Sequence, residues 1–535
     1  MQSFYFLAGS ALGCTLLVAG MRSLSNNLLE LGEGALFNLL RSLKEKGSKS
    51  FFIGLLVSGL CGSTLTASST LLGLVNAGLV KVRAGLLYCA GAHIGPLLLL
   101  VIFSVTGFKS ALVFLSVAMV TQFLVRSSWG NWFQNTYGLL FGFGLVSLGR
   151  YFLNDGLAYF SGVDQQVLGS VTEAPFLLSL LTGLAVGSFL TFLFRSSLIS
   201  ILILIVFRES AFFSLGLILP AVVGVHALSF LPTYQVGRRG NVFCSRVASG
   251  NQFISMIGLL IGSLSLSFLG WDQLEGGSHT VLVFFILLRL LSVAVFLLLL
   301  KPFRTFMRKR WPEKDHPKPL ELESLGRAMD MVPAMSLIQS SFHLAKFKSV
   351  VDRLFSLTER YLENGSNSGR AMAKIKDYER ITDNMHKEIY AFLGKLSENS
   401  LTHNQAQTVM AHLKIADCLE NIADYVDKTA SYNTRYLQGG GKTEWKEEFM
   451  GFFREVREFY SEVSECLPMK NEEAVKKMQI KSQKLKLMAE TIRQDHLSRL
   501  GEFEEDAMSL MTYSDMVVAV RKIRGHSFKL GLTLL

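Results

Sequence analysis

The sequence predicts an all-α chain in two halves: a polytopic membrane part with two repeats and re-entrant hairpins over residues 1–300, then a soluble helical bundle over 331–535. Three observations lead there. Half of the residues are hydrophobic, mean hydropathy is +0.35 and only 18% are charged, against roughly a quarter in an average soluble chain. Charge is unevenly spread: between Phe51 and Leu300 the acids are only Asp155, Asp164, Glu173, Glu209, Asp272 and Glu275, whereas both signs crowd the chain after Lys301. Third, the segment around Gly54 returns 133 positions later, pairing Gly54 with Gly187, Leu60 with Leu193, Ser63 with Ser196, Leu65 with Leu198, Leu71 with Leu204, Leu86 with Leu219, Gly91 with Gly224 and His93 with His226.

The apolar runs follow in order: Phe4–Gly20, Ala84–Thr106, Ala111–Val125, Tyr137–Leu153, Pro175–Phe194, Leu198–Phe207, Leu215–Leu231, Phe253–Leu269 and Val281–Leu300. Each approaches or forms part of the ~20 apolar residues that carry a helix across ~30 Å of hydrocarbon. Several are short or contain Gly, Ser and Pro, so half-helices and re-entrant hairpins are expected among full spans; such backbone survives at membrane depth only where protein or a wet cavity covers it. The first run lacks a basic flank and Gly20-Met21-Arg22 is a poor cleavage site, so it reads as a span rather than a secretory signal. The repeats are expected over about 4–125 and 137–270.

Lys301, Arg304, Arg308, Lys309 and Arg310 follow the last run directly. Basic residues beside a span favour the cytoplasm, which predicts a multi-pass protein of the inner (plasma) membrane with a cytoplasmic C-terminal half. Juxtamembrane bases and anionic lipid account for the net charge of +11, so no nucleic-acid partner is implied. Six cysteines without CxxC spacing suggest neither a disulfide framework nor a thiolate zinc site. A P-loop, a catalytic triad and a zinc-protease motif are all missing, so an enzyme is not expected.

A linker over 301–330, with Pro312, Pro317 and Pro319, leads to amphipathic helices. Apolar residues at helical spacing predict Ser341–Leu362, Met372–Leu396 and Gln405–Ser431, then a second set over Trp445–Leu467, Glu472–Leu500 and Glu502–Leu534. The breaks are the NGSNSG stretch and the polar run from Ser397 to His403. Two three-helix units make a bundle.

Candidate binding chemistry sits at the repeats. Gly62-Ser63-Thr64-Leu65-Thr66-Ala67-Ser68-Ser69-Thr70 packs six hydroxyls into nine positions of an apolar stretch, and Arg195-Ser196-Ser197 is its partner, with Ser200 a turn later. Hydroxyls and helix N-termini suit an oxyanion, and hydroxyl and carbonyl oxygens an alkali cation. Hydroxyls also line ordinary helix contacts in membranes. Duplicated, hydroxyl-lined, glycine-broken segments are how many secondary transporters build a midplane site.

These motifs resemble the type II sodium/phosphate cotransporters and their bacterial relatives, in which each of two inverted repeats carries a QSSS-type hairpin and a GANIGT-type segment. Gly62-Ser63-Thr64-Leu65 and Arg195-Ser196-Ser197-Leu198 stand at the first motif, Gly91-Ala92-His93-Ile94-Gly95-Pro96 and Gly224-Val225-His226-Ala227-Leu228-Ser229 at the second, 29 positions on in both copies. Val75-Asn76-Ala77-Gly78-Leu79, and Arg238-Arg239 leading to Asn251, are supporting matches. The resemblance implies secondary active transport of inorganic phosphate coupled to sodium, with Gly62, Ser63, Thr64, Thr66, Ser68, Ser69, His93, Arg195, Ser196, Ser197 and His226 as site residues.

The motifs also depart from the family. Glycine and arginine replace glutamine, and histidines replace asparagines; arginine cannot ligate a cation. Arg195 either pairs with the transported oxyanion, standing in for a bound cation, or forms an internal salt bridge or snorkels to the interface. His93 and His226 either pack as hydrogen-bonded core residues or couple transport to protons.

The soluble half resembles a PhoU domain through Glu379-Arg380-Ile381-Thr382-Asp383 and Glu420-Asn421-Ile422-Ala423-Asp424. Carboxylates four apart share a helix face, and the resemblance implies a divalent metal held by Glu379, Asp383, Glu420 and Asp424, with Asp377, Asp417 and Asp427 as helpers. The second unit lacks those acids, having Gln483-Lys484-Leu485 and Arg521-Lys522-Ile523 instead. Membrane lipid and a second copy of the chain or a regulatory protein are the expected partners. The alternatives are a phosphate-responsive membrane regulator with a degenerate transport core, and a proton-coupled carrier of another oxyanion.

Overall fold

The structure is a computed structural model that describes residues 2–44, 49–76, 78–124, 130–158, 176–210, 212–268, 276–312, 333–364, 369–398, 401–438, 445–465, 472–498 and 507–534. Asp164, Glu173, Asp272 and Glu275, residues 365–368 and the linker beyond residue 312 lie outside them. Among the described residues every regular element is helical. The chain divides into two units, Met1–Ile338 and Gln339–Leu535.

In the first unit the helices are α1 (Gln2–Leu31), α2 (Glu33–Arg41), α3 (Lys49–Cys61), α4 (Thr64–Asn76), α5 (Val82–Ala92), α6 (Pro96–Val105), α7 (Phe108–Leu124) and α8 (Gly130–Ala158). They continue with α9 (Phe176–Phe194), α10 (Ser197–Glu209), α11 (Leu215–Leu228), α12 (Leu231–Arg239), α13 (Val242–Phe268), α14 (Ser278–Leu298) and α15 (Leu300–Arg310). Six stretches of the described residues are helical, long and apolar enough to cross a membrane: Tyr5–Leu31, Val82–Val105, Leu177–Phe194, Leu215–Arg238, Val242–Phe268 and Ser278–Leu298. They carry large apolar side chains outward, with Phe189, Leu264, Leu287 and Leu298 all exposed. Lipid solvates such a surface where water would not.

The repeat survives in three dimensions. Helix α4 begins at Thr64 and ends at Asn76, and α10 begins and ends 133 positions later at Ser197 and Glu209. The preceding helices, α3 and α9, end at Cys61 and Phe194, again 133 apart. Their crossings also repeat. A Cβ on Gly54 would stand 2.1 Å from the Tyr88 carbonyl oxygen, and one on Gly187 1.8 Å from that of Ala221, the repeat counterpart of Tyr88. Membrane helices attract one another through van der Waals packing, so residues without a side chain let backbones approach closely.

The expected breaks are therefore real: α3–α4 and α9–α10 are helix–turn–helix hairpins with half-length second arms. The Ala84–Thr106 run is interrupted too, with α5 ending at Ala92 and Pro96 opening α6. Proline suits a first helical turn because its missing N–H has no partner there anyway. The basic stretch after Leu300, expected as linker, continues as helix to Arg310.

The second unit contains α16 (Pro333–Asn364), whose first residues belong to the first unit, then α17 (Gly369–Ser397), α18 (His403–Gln438), α19 (Trp445–Glu465), α20 (Glu472–Ser498) and α21 (Ala507–Leu534). All six expected helices form. Phe355 of α16 stacks on Tyr460 of α19 with ring centroids 4.9 Å apart, and Phe453 lies 6.0 Å from Phe355. At the edge of that contact Arg454 and Arg457 both pair with Glu359.

Candidate functional site

Each hairpin turns on one residue with left-handed backbone. Gly62 has φ +59° and Arg195 φ +49°, and Arg195 is the one non-glycine residue with positive φ among the described residues. An L side chain in that region crowds the following carbonyl, at ~1–2 kcal/mol. The next residue caps the second arm in both copies: Ser63 Oγ accepts from the Thr66 N–H at 3.2 Å, and Ser196 Oγ from the Ile199 N–H at 3.4 Å. A serine at this position satisfies one of the unpaired N–H groups of a helix start. The first residues of both arms, Thr64 and Ser197, border a shared space.

That space has two adjoining parts. A cavity of about 80 Å³ is lined by Ser63, Thr64, Arg195, Ser197, Ser229 and Gln235, among others. A second, of about 10 Å³ and so roughly one water in size, is lined by Thr64, His93, Ser197, Phe285 and Arg289. Thr64 and Ser197, the first residues of α4 and α10, line both. The structure thus brings Ser63, Thr64, Arg195 and Ser197 to one place. Thr66, Ser68 and Ser69 are buried within α4 and line neither cavity.

His93 and His226 meet at the centre, with ring centroids 6.0 Å apart and both rings buried. A Cβ on Gly258 of α13 would fall 1.9 Å from His226 Cδ2, so a glycine there makes room for the ring. His93 sits in a hydrogen-bond chain that runs one way. Arg289 Nη1 donates to His93 Nδ1, His93 Nε2 donates to Asn251 Oδ1 at 2.6 Å, Asn251 Nδ2 donates to Thr233 Oγ1 at 2.7 Å, and Thr233 donates to the Phe230 carbonyl at 2.7 Å. Four helices or their ends are tied together by it.

Arg289 was missed by the sequence reading, which placed the guanidinium at Arg195. Arg195 is exposed at the rim of the larger cavity; Arg289 is 1% exposed at the inner one, its guanidinium 5.1 Å from the Phe285 ring centroid. A signal existed. A lone arginine stands in VLVFFILLRLLSVAVFLLLL, and an ionisable residue within a span is functional by default.

In the second unit, burial and then the charges of Asp383, Asp427, Asp424 and Glu420 raise the Glu379 carboxyl above the ordinary carboxylate range. Burial likewise raises Glu420, opposed by His386 and reinforced by Asp424, Asp383 and Asp417. The four expected ligands therefore feel one another. Among the described residues, however, no group of three or more His, Cys, Asp and Glu could hold a metal ion as placed. Asp424 pairs with Lys428 at 2.6 Å, and Asp417 accepts from His386 at 2.9 Å and Tyr390 at 2.7 Å.

Residues 16–155 match the family model described as Na+/Pi-cotransporter, and residues 344–432 match the PhoU domain. Both matches agree with the resemblances that the motifs suggest, the first within the membrane half and the second within the soluble half. No curated protein and no solved structure matches the chain. The Na+/Pi-cotransporter match covers most of the first repeat and ends before α9, so the second hairpin is tied to the first by geometry. The PhoU match covers α17 and most of α16 and α18, the part with the paired acids. The match to a transporter family model over residues 16–155 and the six apolar helices together support a multi-pass membrane protein.

Proposed function

We propose that the chain is a secondary carrier of inorganic phosphate, with its PhoU half as a cytoplasmic regulatory domain. The observation that carries this reading is the convergence of two repeat-related half-helix N-termini, headed by Thr64 and Ser197, on one polar cavity. Backbone N–H groups at a helix start, backed by the helix dipole, attract anions. Opposed hairpins of inverted repeats are the parts that alternating access moves against each other.

In this scheme phosphate enters between Ser63, Thr64, Arg195 and Ser197, with the hydroxyls and N–H groups replacing its water. The matched family model is described as Na+/Pi-cotransporter, which makes sodium the first coupling ion to test. Arg195, on the rim, draws the anion in. Basic residues beside Leu300 support a cytoplasmic PhoU half.

Uptake of radiolabelled phosphate into proteoliposomes, with and without a sodium gradient and a proton gradient, tests the reading. Uptake under either gradient supports a phosphate carrier, and its ion requirement identifies the coupling. No uptake under any gradient, from protein that still binds phosphate, would favour a phosphate-responsive regulator instead.

A further inference from the structure

We propose that Arg289 is a resident counter-cation for the transported anion, so that phosphate binds to this chain without sodium; the inference rests on the phosphate reading above. It begins with the surroundings of the guanidinium. Three other arginines of the membrane half end on oxygen. Arg150 pairs with Glu209 and donates to the carbonyls of Phe103, Ser104 and Thr106 at 2.6–2.7 Å. Arg208 donates to the Gly276 carbonyl at 2.9 and 2.6 Å, and Arg246 to that of Trp311 at 3.1 and 2.6 Å.

Arg289 differs on each count. It is the largest of the fully buried side chains, its hydrogen bond goes to an imidazole nitrogen, and its Nε has no partner. No carboxylate pairs with it among the described residues. A charge buried at membrane depth is paired or faces a polar cavity. What Arg289 faces is Thr64 and Ser197, the starts of α4 and α10. Two positive helix ends and a guanidinium thus line one small cavity, and each favours an anion.

The donor chain through His93 fixes this arrangement. Because Arg289 donates to Nδ1, the ring proton sits on Nε2 and is accepted by Asn251, so His93 supplies a lone pair and no negative charge. The chain orients the guanidinium while leaving its charge uncompensated. A carrier must cancel the charge of phosphate before passing it through a low-dielectric path, and a co-transported sodium is one way. A fixed arginine that stays in the protein is another. The 10 Å³ beside Arg289 is too small for phosphate, so the anion reaches the guanidinium only when the hairpins part.

The test is equilibrium binding of radiolabelled inorganic phosphate to the full-length chain in detergent, in sodium chloride and in choline chloride of equal ionic strength. Wild-type dissociation constants within about threefold of each other in the two salts are expected. Arg289→Gln is expected to weaken binding in choline at least ~10-fold, the loss that follows one charge-assisted hydrogen bond, and Arg289→Lys to retain most of it. Phosphate bound in sodium alone overturns the inference and leaves the carrier reading standing, as does Arg289→Gln binding like wild type in choline. Binding in neither salt overturns both. Should Arg289→Gln fail to fold, the wild-type salt comparison and Arg289→Lys decide the matter.

Discussion

Gly62 and Arg195, 133 positions apart, hold the same left-handed backbone at the tips of equivalent hairpins. One copy uses the residue that tolerates this conformation and the other does not. Arg195→Gly is expected to relieve ~1 kcal/mol of strain and raise the thermal midpoint in detergent by a few degrees. Gly62→Ala is expected to lower it, because a Cβ there also meets Met21 Cε at 2.6 Å. A drop in midpoint for Arg195→Gly would show that the side chain contributes more than its backbone costs.

The helix crossings make a sharper prediction. Gly187→Ala places a methyl 1.8 Å from the Ala221 carbonyl oxygen, which only separation of α9 from α11 can relieve. Overpacking of this kind costs ~1–3 kcal/mol or more, and loss of monodisperse protein in size-exclusion chromatography is the expected readout. Gly394→Ala in α17 is the control: nothing lies within 4 Å of its Cβ, and helix propensity favours alanine by ~1 kcal/mol.

Asn251 orients His93 without lining either cavity. Asn251→Ala is expected to weaken phosphate binding by about fivefold, the scale of one neutral hydrogen bond, and less than Arg289→Gln. Equal losses in the two variants would mean that Asn251 does more than hold the ring.

The acidic face of the PhoU half gives a pH dependence with a definite sign. Burial and neighbouring acids raise the Glu379 carboxyl in the folded state, so the folded protein holds that proton more tightly than the unfolded chain. Its contribution to stability is present at acid pH, falls as pH rises from the ordinary carboxylate range through the raised value, and stays lost at neutral pH. Glu379→Gln removes the penalty. The variant's thermal midpoint is expected to exceed wild type at neutral pH, with the two curves converging as pH falls, measured by thermal denaturation across pH 4–8.

Much of this was legible in the chain. Composition divided it into two halves because lipid and water select opposite surfaces, and helical periodicity located all six helices of the second unit. The repeat could be read from Gly54/Gly187 and Gly91/Gly224 because close backbone approach admits one residue type, which leaves a mark in one dimension. Ser63 and Ser196 were readable for a similar reason, as helix starts need a capping oxygen.

Tertiary structure decided what meets what. Sequence offered Arg195 as the guanidinium of the site, since it stood inside a motif; packing left it at the rim and put Arg289, 94 positions away, against His93. No local pattern joins those two residues, because their contact depends on how α14 packs beside α5. The pairing of His93 with His226 and the convergence of two helix starts likewise come from folding the repeats against each other. A one-dimensional pattern records which surfaces each helix must hide, whereas the partners it hides them against are set only when all the helices pack at once.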